Sequence, residues 1–99
     1  MTEAPSASDI LQQLAAILKS RKNADPDSSY VARLYAGGLN AILKKVGEEA
    51  TELIIEAKDN NEQLFLNEAA DLMYHYLLLL SAKGFSLEEV EQTLVKRAK

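Results

Sequence analysis

The chemistry available to this chain lies in two acidic clusters, Glu48-Glu49-Ala50-Thr51-Glu52, entered through Lys44-Lys45-Val46-Gly47, and Glu68-Ala69-Ala70-Asp71. At about 100° per residue, Glu49, Glu52 and Glu56 share one narrow helical stripe with Glu48 on its flank, and Glu68 and Asp71 are neighbours on a second helix. Like charges at such spacing cost an isolated helix roughly a few tenths of a kcal/mol per pair, so stability alone does not select them. A divalent cation reverses that sign. Hard oxygen ligands from facing helices suit Mg²⁺, which takes one or two carboxylates and leaves its other positions to water and phosphate oxygens. The blander alternative, and the commoner use of a charge run, is the solvated face of an amphipathic helix.

Composition narrows what those acids can serve. With 99 residues, 26% charged and 47% hydrophobic, there is room for one core and one domain. The net charge of −4 argues against nonspecific nucleic-acid binding, which needs a basic patch to displace counterions from phosphates. Arg21-Lys22, Arg33, Lys44-Lys45, Lys83 and Lys96-Arg97 are isolated pairs or singles, the pattern of contacts to one small polyanion. With no cysteine, disulfide frameworks and thiolate metal sites are excluded. The N-terminus lacks a basic stretch followed by an apolar one, and no apolar run approaches the roughly twenty residues that span a bilayer. A cytoplasmic protein without membrane contact is expected.

The elements that must position the acids all read as helices. Residues 1–7 are small, polar and aperiodic, the expected flexible leader, and 8–99 form the domain. From Ser8 as N-cap, the period of Ile10, Leu11, Leu14, Ala15, Ile17 and Leu18 predicts a first helix ending near Lys22. A loop rich in breakers, including Asp25-Pro26-Asp27, follows, with Ser28 or Ser29 as the next cap. Residues 30–36 form a short helical stretch. Gly37-Gly38 is a bend, a simple connection or a place where a ligand approaches the backbone. Helix then resumes from Leu39 to about Lys58, with Val46, Ala50, Leu53, Ile54 and Ala57 on an arc expected to face the core, opposite the acids. Asp59-Asn60-Asn61 separates it from a helix over 62–83 that Gly84 stops. Ser86 and Glu89 form a capping box, and Phe85 and Val90 have hydrophobic-staple spacing, for a last helix ending in Lys96-Arg97-Ala98-Lys99. No strand-like alternation occurs, so the expected fold is all-α, a four- to five-helix bundle. Because residues 72–80 are apolar around nearly the whole helix, a second subunit is expected to cover them, giving at least a homodimer.

The string from Lys44 to Glu52, with Ala70-Asp71-Leu72-Met73-Tyr74-His75 after it and Ser29-Tyr30 before it, resembles the phosphoribosyl-ATP pyrophosphatases of histidine biosynthesis. The wider pattern of Glu-Glu-x-x-Glu followed by Glu-x-x-Asp is similar to the all-α nucleoside triphosphate pyrophosphohydrolases of the MazG type. This resemblance, from residue 10 onward, implies Mg²⁺-dependent hydrolysis of phosphoribosyl-ATP to phosphoribosyl-AMP and pyrophosphate on a helical bundle. It implies Glu49, Glu52, Glu68 and Asp71 as metal ligands or their immediate partners, and Glu48, Glu49 and Glu52 as the catalytic acids. Since no cyclohydrolase domain fits ahead of the motif, the monofunctional form is expected.

The chemistry agrees with that reading, because an acidic pocket repels a triphosphate unless metal ions stand between the two. Lys44, Lys45 and Arg33 are candidates for phosphate contacts, with charge balance the alternative. His75, one turn beyond Asp71, is a partner of that residue, a substrate contact, or a hydrogen-bonded core histidine. Two other functions share parts of the pattern. A house-cleaning pyrophosphohydrolase of aberrant nucleotides has the same metal motif. A non-catalytic dimerisation module has the apolar helix but gives no reason for the spacing of the acids.

Overall fold

The computed structural model describes residues 9–98, and none of them is in a strand. Most belong to five helices: α1 (Ile10–Ser20), α2 (Tyr30–Gly37), α3 (Leu39–Ala57), α4 (Glu62–Ala82) and α5 (Leu87–Arg97). The expected leader, residues 1–7, and the expected Ser8 cap lie outside the described residues. Helix α1 stops short of Lys22 because its end tightens: the Arg21 and Lys22 amides donate to the carbonyls of Leu18 and Lys19, three residues back. In the loop after it, the Asp25 carboxylate accepts from the Asp27 amide at 2.9 Å, and Ser29 then caps α2 by accepting from the Ala32 amide at 3.2 Å.

Gly38 divides what periodicity reads as one interrupted helix. Its φ of 87° and ψ of 178° fall in a region essentially closed to residues with a Cβ. It ends α2 by donating to the Tyr35 carbonyl and opens α3 by accepting from the Ala41 amide, each at 3.1 Å. Helices α3 and α4 form an antiparallel hairpin across the 58–61 connection, where the Asn61 side chain accepts from the Leu64 amide at 3.0 Å. The hairpin is the main packing unit, with α1 laid on α4 and α2 on α3. Two hydroxyls also tie α2 to α4, Tyr30 to His75 at 2.7 Å and Tyr35 to Ser81 at 2.6 Å. Ser86 and Glu89 make the capping box of α5, whose Leu87 reaches the core while no residue of that helix is fully buried.

Leu18, Val31, Ile42, Leu77 and Leu78 form the buried core, each side chain contributing about 1.5–3 kcal/mol by leaving water. They draw together α1, α2, the start of α3 and the end of α4. Toward the 58–61 turn only α3 and α4 remain among the described residues, and no other described helix covers that half of the hairpin.

This arrangement corrects two expectations. The 72–80 run is covered at its C-terminal half within the chain, since Leu77 and Leu78 are fully buried and Leu79 and Leu80 half-buried, while Leu72 is half-buried and Met73 exposed. The uncovered apolar surface lies elsewhere, notably at Ile54 (65% exposed), Ile55, Leu64 and Leu66 (58%). Nor does the apolar arc of α3 face the core: Val46, Ala50 and Leu53 are only half-buried, and Ile54 and Ala57 are exposed, while Glu49 is buried and Glu56 half-buried. Helix α4 approaches α3 from the acidic side. No described helix is long and apolar enough to cross a membrane.

Two glycines test the backbone account in opposite directions. Gly38→Ala is expected to lower unfolding free energy by about 1–3 kcal/mol. Gly47→Ala, in mid-helix with open space for a Cβ, is expected to raise it by up to about 1 kcal/mol. Urea titrations of the two variants check both, and equal effects would refute the assigned role of Gly38.

Candidate metal centre

The hairpin sets Glu68 and Asp71 of α4 against Glu49 of α3. Carboxylate oxygens of Glu49, Glu68 and Asp71 all lie within 4.8 Å of one another. Glu49 is only 5% exposed. Its Oε2 and that of Glu68 are shielded from solvent with no hydrogen-bond partner, and two turns further along α3 so is Oε2 of Glu56. Shielded carboxylate oxygens without donors are costly. Glu52 is exposed and stands beside Glu68, outside the triad. Glu48 is exposed, on the flank of the stripe.

The neighbouring Glu52 carboxyl, then burial, then the charges of Glu52, Asp71 and Glu49, push the Glu68 carboxyl up to about 7. A proton shared between two carboxyls is one way such a cluster relieves itself.

Lys45 supplies the other relief. Its Nζ lies 3.2 Å from Glu49 Oε1, and the hydrogen bond to Glu49 holds the ammonium above the usual lysine range against the opposite pull of burial. The other basic candidates stand differently. Lys44 is exposed. Arg33 donates from Nη1 to the Pro26 carbonyl at 3.1 Å and lies 6.0 Å from the centre of the Tyr30 ring, which ties it to the loop before α2.

His75 is 6% exposed and has both ring nitrogens engaged. Nδ1 lies 2.8 Å from the Asp71 carbonyl. A carbonyl only accepts, so Nδ1 carries the proton, and in the neutral ring Nε2 accepts from the Tyr30 hydroxyl at 2.7 Å. No ring nitrogen is left for a ligand. Through this chain the N-terminus of α2 is fastened to the backbone turn that carries Asp71.

Tyr30 is the residue that motif reading passes over as a site component. Burial raises its hydroxyl pKa, Lys45 pulls it down, and Glu49, Tyr74 and Asp71 push it up further. It therefore stands within the field of the acidic cluster. Its signals in the sequence are a place directly after a capping serine and a part in the Ser29-Tyr30 segment of the family resemblance, neither of which points to a role. Glu56 was visible on the acidic stripe, but nothing in the spacing singled out its orphaned oxygen.

The donor set fits a hard divalent cation: carboxylates alone, two with shielded oxygens lacking partners, and no thiol or free imidazole among them. In the metal-free protein, the raised pKa of Glu68 has a signed consequence. An acid whose folded pKa lies above its unfolded value stabilises the fold below the unfolded pKa, and that contribution is lost as pH rises through about 7. With chelator present, Glu68→Gln should therefore melt above wild type at pH 8, and the gap should close toward pH 5. Thermal melts across that range check this, and a pH-independent gap would contradict it.

Comparison with known proteins completes the description of the site. Residues 11–98 match the family model for phosphoribosyl-ATP pyrophosphohydrolase. The chain is 52% identical to a phosphoribosyl-ATP pyrophosphatase of Erythrobacter litoralis (strain HTCC2594) over 87 residues, covering 88% of this chain and 84% of that protein. It is 51% identical to a protein of the same name from Hydrogenovibrio crunogenus (strain DSM 25203 / XCL-2), over 92% of this chain and 84% of the relative. A third, from Dechloromonas aromatica (strain RCB), is 46% identical over 93% of this chain and 85% of its own length. With a family match over nearly the whole chain and relatives of about half identity, this chain belongs to the phosphoribosyl-ATP pyrophosphohydrolase family.

Proposed function

We propose that this chain, with residues 8–99 as its domain, hydrolyses phosphoribosyl-ATP to phosphoribosyl-AMP and pyrophosphate, the second step of histidine biosynthesis, using Mg²⁺ held by Glu49, Glu68 and Asp71 with Glu52 beside them. The name shared by the relatives supports the substrate. The metal rests on one observation, the shielded and partnerless oxygens of Glu49 and Glu68 inside a triad of carboxylates. Bound Mg²⁺ would polarise the phosphoryl oxygens and neutralise the departing pyrophosphate.

The residues do the rest. Glu49, Glu68 and Asp71 hold the positive charge at one place between two rigid helices, so the triphosphate is oriented by where they stand. Lys45, with Lys44 and Arg33 farther out, adds positive charge for the phosphates. Glu52, exposed next to Glu68, is the acceptor for the proton of the attacking water; Glu48 lies on its flank. The water oxygen bonds to phosphorus, the anhydride bond between the α and β phosphoryl groups breaks, and pyrophosphate departs with the electron pair. His75 is no substrate contact in this reading; it holds Tyr30 and the Asp71 backbone in register. A triphosphate does not cross a bilayer unaided, which puts the reaction in the cytoplasm with the nucleotide pool.

The assembly proposed is a homodimer. Its support is the exposed apolar surface at Ile54, Ile55, Leu64 and Leu66, on the half of the hairpin that no other described helix covers. A second copy, bringing the same surface by two-fold symmetry, covers it.

Replacing Glu49 by Gln or Asp71 by Asn removes charge with little change of shape. Each should lower turnover on the order of a hundredfold or more while the fold survives, and each should lose the rise in melting temperature that Mg²⁺ gives the wild type. Near-normal turnover in both would end the metal assignment. Equal hydrolysis of ordinary and damaged nucleoside triphosphates would instead favour a house-cleaning enzyme. For the dimer, Ile54→Glu combined with Leu66→Glu should sediment as a monomer, and a wild type already monomeric at micromolar concentration would refute it.

A further inference from the structure

We infer that Lys45 is a placeholder for the divalent cation: its ammonium group sits on Glu49 in the metal-free chain, leaves when the ion binds, and is then free to engage the substrate's phosphates. This rests on the metal-site reading above and adds to it an exchange at a named residue.

Among the described residues, Lys45 makes the ion pair that reaches the triad, with Nζ 3.2 Å from Glu49 Oε1. It neutralises one carboxylate and leaves Oε2 of Glu49 and of Glu68 without partners. A single positive charge is thus too little for the carboxylates gathered there, and a doubly charged ion satisfies what the lysine does not. The pair is also built to be broken. In a helix, Lys at i with Glu at i+4 is the less favourable order, so the cluster and not the helix holds the lysine in place. The Lys45 side chain is 33% exposed against 7% for Glu49, so the lysine can leave without carrying its partner into water. Its flexible stem then swings from a carboxylate now taken by the ion toward an anion that binds beside it.

The exchange couples two ligands. Phosphates that hold Lys45 keep it off Glu49, so substrate favours metal, and by reciprocity metal favours substrate.

Calorimetric titration of the metal-free, full-length protein with MgCl₂ alone tests the proposal without any turnover. Lys45→Met should bind Mg²⁺ roughly three- to tenfold more tightly than wild type, the scale of one partly shielded ion pair. Lys45→Arg, whose planar fork grips a carboxylate more firmly, should bind it more weakly, and keeps the test alive if the Met variant does not fold. Lys44→Met removes the same charge from the neighbouring position and should stay within about twofold of wild type. Unchanged or weaker binding by Lys45→Met, or equal tightening by Lys44→Met, would overturn the placeholder. Glu49→Gln separates the two layers. If wild type binds Mg²⁺ and Glu49→Gln does not, a failure at Lys45 refutes the exchange alone; if wild type binds none, the metal reading fails and the placeholder falls with it.

Discussion

Repulsion among carboxylates held between α3 and α4 is the constraint around which this small protein is arranged. Glu49, Glu68 and Asp71 converge within a few ångströms, with Glu52 beside one of them and Glu56 two turns beyond Glu49 on the same helix. Left to themselves, two helices carrying those charges would rotate or part. That is resisted by Ile42 of α3 and Leu77 and Leu78 of α4, buried in the core with Leu18 and Val31 about two turns from the acids on the same two helices. The repulsion is answered by a raised pKa at Glu68 and by one lysine ion-paired with Glu49, and the cation proposed above would answer it further. Such a site costs stability and retains the electrostatics that stability alone would remove.

Helix α2 is short, yet it sets the geometry of α4. It is begun by the Ser29 cap and ended by Gly38, and both of its tyrosines reach α4, Tyr30 at His75 and Tyr35 at Ser81. Since His75 spends its Nδ1 proton on the Asp71 carbonyl, the helical turn bearing an acid of the triad is tied to an element that carries no acid. A histidine in an acidic neighbourhood invites assignment as a base. Here its nitrogens are committed, and what it offers the site is position.

Much of the fold was legible because helical periodicity and capping chemistry are local. Ser29, Asn61 and the Ser86–Glu89 box each begin a helix where the spacing places them, and Gly38 and Gly84 carry the positive φ that ends one. The acids that converge, Glu49, Glu68 and Asp71, were marked by the family resemblance more than by their spacing, since a charge run is more often a solvated face. The inward face of α3 was not. A 3.6-residue period says which residues share a face and is silent on which face is covered. For α3, hydrophobicity pointed the wrong way, because the acids face α4 and Ile54 faces out. Tyr30 and Glu56 were obscure for a related reason: a tyrosine at a helix start and a third acid on a stripe are ordinary until a neighbouring helix is brought against them. The 72–80 run misled in the opposite sense, since α1 and α3 bury its centre without help.

Inverted amphipathicity on the outer half of the hairpin links two readings that otherwise look separate. Acids turned inward need positive charge between the helices, and apolar residues turned outward need cover from beyond them. Had Ile54 and Ile55 faced α4, the pair would have been an ordinary two-helix packing, content as a single chain and without a reason to bind an ion. Had the acids faced out, water would have solvated them. With the faces exchanged, the orientation of α3 generates the charge deficit and, together with Leu64 and Leu66 of α4, the apolar one, and the metal and the second copy proposed above are the two things that remove them. The larger apolar core at the other end of the molecule is what makes that rotation tolerable, by holding α3 in the less comfortable of its two orientations.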